Sequence, residues 1–219
     1  MNIPRCLHAA FFLVAICHPL LRADAEDGGT RKKIEATSPD RRFAFRYKGE
    51  SDDAPEAYVL IDRKSGKVLK RVAESNPDLG PSARFQIAVL WKPDSQRFAL
   101  TAMLWKRGSG VMVFARDGAT FREVKVPELL AEIPEKIMAG KEYPHVVELS
   151  SQSARRWLKD GSLEVEIETI QDGDGSTVQA NRTVILGFKK GGEAKILKST
   201  TKYTRPDESS PDPAPKPGQ

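Results

Sequence analysis

Residues Trp91–Leu100 read WKPDSQRFAL. Pro93 fixes its own backbone angle and has no amide to give a ladder, and the Asp94 carboxylate behind it accepts hydrogen bonds from amides just ahead, so Pro-Asp makes a corner. On either side apolar residues recur at every second position: Phe85, Ile87, Val89 and Trp91 before the corner, and Phe98, Leu100, Ala102 and Leu104 after it. That period belongs to strands with one face on a core, and the stretch therefore reads as strand, turn, strand. A near copy, SPDRRFAF, occupies Ser38–Phe45, and a weaker one, WLKDGSLEV, occupies Trp157–Val165, where Asp160-Gly161 makes the turn and Leu163 takes the place of Phe43. Asp40, Asp94 and Asp160 stand 54 and 66 positions apart, an irregular internal repeat of hairpins.

The same period extends outward. Phe43, Phe45 and Tyr47 alternate with polar or small neighbours, and Leu163, Val165 and Ile167 alternate with Glu164, Glu166 and Glu168. Ala57–Ile61 and Val111–Phe114 are continuous apolar runs, which suits more central strands. Glycine-bearing turns at Lys64–Gly66, Arg107–Gly110, Arg116–Gly118, Asp172–Gly175 and Lys190–Gly192 are short, so neighbouring strands are expected to be antiparallel. Reading the segments this way gives about eleven strands between Arg42 and Tyr203. Pro127–Ala139, PELLAEIPEKIMA, breaks the rhythm: Leu129, Leu130, Ile133 and Ile137 suit one helical stripe, with Pro134 in its middle and Gly140 closing it. The expectation at 127–140 is one kinked helix or two short ones covering an open end of the sheets.

WKPDSQRFAL and SPDRRFAF resemble the signature of WD40-like repeats of the TolB type, a Trp-Ser-Pro-Asp-Gly run followed by a strand. The resemblance covers about nine residues in each of three places and is specific to the local hairpin. It implies that Asp40, Asp94 and Asp160 form turns in propeller-like blades, and that ligands or partner proteins meet the loops at the ends. A closed propeller needs at least about four blades of four strands, more than this chain supplies. The expected fold is therefore all-β: an antiparallel meander of propeller-like hairpins, open or two-layer, with a small or incomplete β-propeller as the alternative and one short kinked helical insert.

The amino terminus reads as an export signal. Leu7–Cys17 is almost wholly apolar, Ala23-Asp24-Ala25 presents small residues to a signal peptidase, and cleavage is expected before Glu26. The run is too short for a spanning helix of about 20 residues. Val14–Cys17 loosely resembles a lipobox, but Ile16 is bulky where a small residue is wanted, so lipidation at Cys17 is not the expectation. Residues 26–37 read as a flexible lead-in, 38–203 as the β domain, and 204–219, rich in proline and poor in apolar residues, as a disordered tail.

Both cysteines, Cys6 and Cys17, lie within the signal, so the exported chain has no disulfide, thiolate metal site or cysteine nucleophile. His145 is the one histidine outside the signal, and without a Gly-x-Ser-x-Gly elbow it reads as an ordinary strand-start residue. The charge of +5 is spread among interleaved acids and bases, unlike the one-sided basic face of a nucleic-acid reader. Asp172–Ser176 starts like a calcium loop but carries Thr177 and Thr183 where that loop needs Gly and Glu; Glu50–Asp53 matches it less well still. Glu164, Glu166 and Glu168 read as a solvated face with Arg182, Lys195 and Lys198 as cross-strand partners. Trp91 and Trp157 hold equivalent repeat positions and belong to the core, while Trp105 is the tryptophan to watch for exposure. No catalytic, cofactor-binding or metal-binding residue is assigned. The reading is a secreted or periplasmic, non-enzymatic protein that binds a protein or envelope component through a sheet face or loop end. The alternatives are a hydrolase using carboxylates, or a purely structural envelope protein.

Overall fold

The computed structural model describes residues 36–48, 57–74, 87–105, 108–173, 175–189 and 192–204. The expected signal, most of the expected lead-in, Glu50–Asp53 and the proline-rich segment after Thr204 lie outside the described residues, as does the Trp105 side chain. Eleven strands and one short helix run through the described residues. Strands β1 (Phe43–Lys48), β2 (Ala57–Asp62) and β3 (Val68–Glu74) form a first sheet. β4 (Ile87–Trp91), β5 (Arg97–Trp105), β6 (Gly108–Asp117) and β7 (Thr120–Val124) form a second. β8 (His145–Trp157), β9 (Leu163–Gly173), β10 (Ser176–Phe188) and β11 (Ala194–Thr204) form a third. Within each sheet the strands follow chain order and pair antiparallel. The fold is all-β, three consecutive meanders with none closed into a barrel, as the alternating period and short turns require.

Two cores join the three layers. Phe43, Phe45, Tyr58 and Leu60 of the first sheet pack on Phe98, Leu100, Phe114 and Phe121 of the second. The Phe98 ring stacks on Phe114 at 4.8 Å and meets Phe45 edge-on at 5.1 Å, geometries that add to area burial. The opposite face of the second sheet, with Ala99, Val111, Val113 and Val124, packs on Leu163, Val165, Ile167, Val184 and Leu186 of the third. The second sheet is thus buried on both sides, which is why Val111–Phe114 is continuously apolar: successive residues feed different cores. On the far side of the first sheet, Ala44, Val59 and Ile61 form a smaller buried cluster, so Ala44 does not follow the one-faced alternation expected of its strand.

The third sheet is the longest, with strands of 13, 11, 13 and 11 residues against 5, 9, 10 and 5 in the second. The segment from Lys125 to Pro144 covers the excess. Leu129 and Ala131 enter the second core, and Ile137 and Tyr143 pack on Val178 beside Tyr203. The helix expected at 127–140 is reduced to one turn, α1 (Glu135–Met138), which starts after Pro134 and ends at Ala139 in the left-handed region. Ahead of it the chain is not helical. Leu129 and Ala131 are buried while Leu130 and Glu132 are exposed, a period of two in place of the expected stripe. The cause is Pro134, which crowds Ile133 out of helical angles and removes a donor, leaving too short a run ahead of it to nucleate and one turn behind it.

The outer face of the third sheet ends the stack. Glu164, Glu166 and Glu168 lie on it, but their partners are not those expected. Arg156 Nη2 reaches Glu164 Oε2 at 2.9 Å, Arg155 Nε reaches Glu166 Oε2 at 2.7 Å, and the Gln179 amide donates to Glu168. Arg155 and Arg156 both reach this face because β8 carries a bulge between Ala154 and Arg156. Arg182 sits on the opposite face: it is paired in register with Ile167 and belongs to the inward phase of β10.

Candidate functional site

The three aspartate turns share one geometry. In each, the residue after Asp has positive φ: Arg41 at 58°, Ser95 at 57° and Gly161 at 82°. Its amide donates to the carbonyl two residues before Asp, at 2.8 Å from Arg41 to Ser38, 2.9 Å from Ser95 to Lys92 and 2.9 Å from Gly161 to Leu158. The amide two residues after Asp donates to the carboxylate, at 3.0 Å from Arg42, 2.9 Å from Gln96 and 3.0 Å from Ser162. These are tight turns followed by a left-handed residue, each closed by its own aspartate.

The turns also touch one another. Ser95 Oγ accepts the Asp40 amide at 3.0 Å, and the Lys92 side chain lies against Gly161, where an added Cβ would stand 3.3 Å from Lys92 Cε. Each tryptophan three residues before its Asp bonds the preceding unit. Trp91 Nε1 donates to the Ala36 carbonyl at 3.2 Å, and Trp157 Nε1 donates to the Leu90 carbonyl at 3.0 Å. Ala36 and Leu90 themselves stand four residues before Asp40 and Asp94, so the same contact links successive layers. Trp91 and Trp157 pack in different cores.

Burial works against the Asp40 carboxylate, but hydrogen bonds from Ser38, Arg42 and Ser95 and the charge of Arg116 outweigh it and hold its pKa below the ordinary 3.8. Burial likewise opposes Asp94, where Lys92, the Gln96 amide and Arg97 prevail in the same direction. The Ser162 hydroxyl and amide lower Asp160, and the Ser65 amide and hydroxyl lower Asp62. A carboxyl depressed by folding contributes stability that is present above its unfolded pKa and lost as pH falls through its folded pKa. The urea midpoint is therefore expected to fall as pH drops from about 5 to about 3, with carboxyls titrating near 4 when unfolded. The triple substitution Asp40→Asn, Asp94→Asn, Asp160→Asn should flatten that limb, and an unchanged slope would show that other groups carry it.

An open groove of 640 Å³ lies between β6 and the segment that leaves β7, lined by Val111, Met112, Lys125, Glu128, Leu130 and Gln152 among others. It exists because β7 pairs with β6 only from Val113 to Asp117, leaving the start of β6, which β5 pairs on its other edge, without a strand on this side. Gln152 spans the gap: Oε1 accepts the Val111 amide and Nε2 donates to the Leu129 carbonyl, both at 3.0 Å. Arg182 Nη1 donates to the Leu130 carbonyl at 2.7 Å, and Ser150 Oγ accepts the Ala131 amide at 3.1 Å. Side chains of the third sheet thereby hold the irregular stretch 129–131. Gln152→Ala should cost about 2 kcal/mol, because it strands a part-buried amide and carbonyl; urea unfolding measures the loss, and hydrogen exchange at Val111 should quicken.

His145 is exposed at the start of β8, the opposite end of that 13-residue strand from the Asp160 turn, so the histidine and the three turn aspartates share no site. It borders a shallow depression with Asp172, Gly173, Gly175, Ser176 and Thr177. There Asp172 Oδ1 accepts the Thr177 hydroxyl at 2.7 Å, fixing the β9–β10 hairpin. Among the described residues no group of His, Cys, Asp and Glu has metal-holding geometry, and no helix is long and apolar enough to cross a membrane. The groove was absent from the sequence reading, although Val178, Ala180, Arg182, Val184 and Leu186 place Arg182 in the inward phase of its strand.

No family model matches the chain, and no curated protein does. Among solved structures, TolB from Acinetobacter baumannii is similar over 80% of this chain at 12% identity and a TM-score of 0.30. The chain spans 41% of that structure's length.

Proposed function

We propose that this is an exported, non-enzymatic β scaffold that binds a protein or envelope component through a loop end or sheet face. The observation that supports this reading is the commitment of six of its carboxylates. Asp40, Asp94 and Asp160 are engaged by turn amides, while Glu164, Glu166 and Glu168 are engaged by Arg156, Arg155 and Gln179. A hydrolase needs carboxyl groups that converge on a substrate, whereas these are spread over separate bends and an open face. A partner would find the 640 Å³ groove and its exposed Leu130 accessible. The test is recovery of a specific envelope partner on the immobilised chain, with Leu130→Asp and a form ending at residue 204 alongside. Recovery lost on Leu130→Asp supports groove binding, and recovery lost on truncation assigns the contact to the tail. No partner with any form would overturn the reading.

A further inference from the structure

β11 is an edge strand of the third sheet, and we infer that its free edge pairs with an acidic extended strand of another protein. This rests on the reading above and adds a surface and a partner chemistry to it. Among the described residues, the backbone of β11 bonds β10 on one side and, on the other, only Lys125, whose carbonyl accepts the Ala194 amide. Residues 195–200 are all exposed. Past the bulge at Leu197, residues 198–204 keep unbroken register with β10, a run of about 23 Å. The other edge strands offer less: β4 and β7 have five residues and β1 six, while β3 and β8 are broken by register shifts. In an antiparallel strand every second residue turns its amide and carbonyl away from its partner, so this edge presents a row of backbone groups to an added strand.

The charge on that edge has one sign. β10 and β11 contain no aspartate or glutamate. Lys195, Lys198 and Lys202 register with Gly187, Ile185 and Asn181, so they share the outer face with Glu164, Glu166 and Glu168. Those glutamates stand two strands away, about 10 Å, and are engaged by Arg156, Arg155 and Gln179. Glu128 and Glu132 flank the stretch 129–131, which is bonded to the inward Gln152 and Arg182 and so lies on the other face of the sheet. Glu193 precedes the strand, at the Lys125 bridge. Among the described residues none of the three lysines is in an ion pair. Opposite charges across neighbouring strands attract and like charges repel. Pairing β11 with β11 of a second copy would bring lysine-bearing strands together, so the edge disfavours self-pairing. The chain after Thr204 carries Pro206, Pro211, Pro213, Pro215 and Pro217, which have no amide to give a ladder. The occupant that fits is a strand of another protein with Asp or Glu at alternate positions.

The experiment is binding of fluorescein-labelled peptides to the full chain, read by fluorescence polarisation. The probes are an alternating Glu-Thr peptide of about ten residues, long enough to span the regular run, an alternating Lys-Thr peptide, and the Glu-Thr peptide with its backbone amides methylated. Glu-Thr is expected to bind about tenfold or more tightly than either of the others, because it alone supplies both the charge and the ladder. Lys198→Glu, Lys202→Glu together should weaken Glu-Thr by about tenfold and make Lys-Thr the better ligand. Lys136→Glu, Lys159→Glu, the same change of charge elsewhere, should leave both peptides as they were. All four lysines are exposed, and circular dichroism matching the parent checks that each variant folds. No preference for Glu-Thr, equal binding of its methylated form, or equal loss in the two double variants overturns the proposal. Dimerisation of the parent chain with no peptide bound gives the edge to a second copy and also overturns it. A protein partner recovered on the Leu130 face with no peptide bound overturns only the acidic strand and leaves the binding reading intact.

Discussion

Gly173→Ala is expected to destabilise the fold by about 3 kcal/mol or more, the upper range for overpacking a filled site. Gly173 ends β9, where the chain passes under the loop that brings α1 back to β8. A Cβ there would stand 2.1 Å from the Glu142 carbonyl oxygen, 2.8 Å from Tyr143 Cα and 3.0 Å from Pro144 Cδ. Two of those atoms are backbone, so relief requires displacing the loop, and with it Tyr143 from its contact with Val178. Thermal unfolding should fall by roughly 6 to 12 °C for a domain of this size. A melting temperature within a degree or two of the parent would mean that the loop yields freely and that Tyr143 anchors nothing.

Trp91→Ala should cost about 3 to 5 kcal/mol, as large aromatic truncations in cores do. The indole meets Phe43, Phe45, Phe98 and Phe121 at centroid distances from 4.9 to 6.3 Å, drawing on the first two sheets at once. Its Nε1 also anchors Ala36, where the chain enters the fold. Trp91→Phe should retain much of the packing and lose the hydrogen bond, so its cost should be near 1 kcal/mol above any packing loss. Urea unfolding of the two variants separates these parts. If both cost the same small amount, the first two layers do not depend on this ring.

The aspartate turns were legible because their physics is local. Proline or glycine, Asp and the amide two residues on are all within one bend, and no distant residue is needed to close it. Pro134 was legible as a disturbance but not in its outcome. A proline in a short apolar run permits a kinked helix or an extended strap, and Leu129 and Ala131 chose the second by finding a core on the third sheet. The partners of Glu164 and Glu166 were not legible for a different reason. The bulge between Ala154 and Arg156 turns Arg155 and Arg156 onto the glutamate face, and strand sequence contains no marker for that one-residue slip. Arg182 was expected on the glutamate face; the period of β10 turns it inward instead, where the Leu130 carbonyl accepts from it.

Alternation, turn chemistry and the spacing of apolar runs are properties of neighbours in the chain, and they alone determined an all-β meander with Asp40, Asp94 and Asp160 as its corners. Which faces meet, how Trp91 and Trp157 repeat one contact between layers, and where the groove opens depend on residues far apart in the chain. Those were decided by tertiary structure, because buried area and unpaired backbone groups are balanced only when the layers come together.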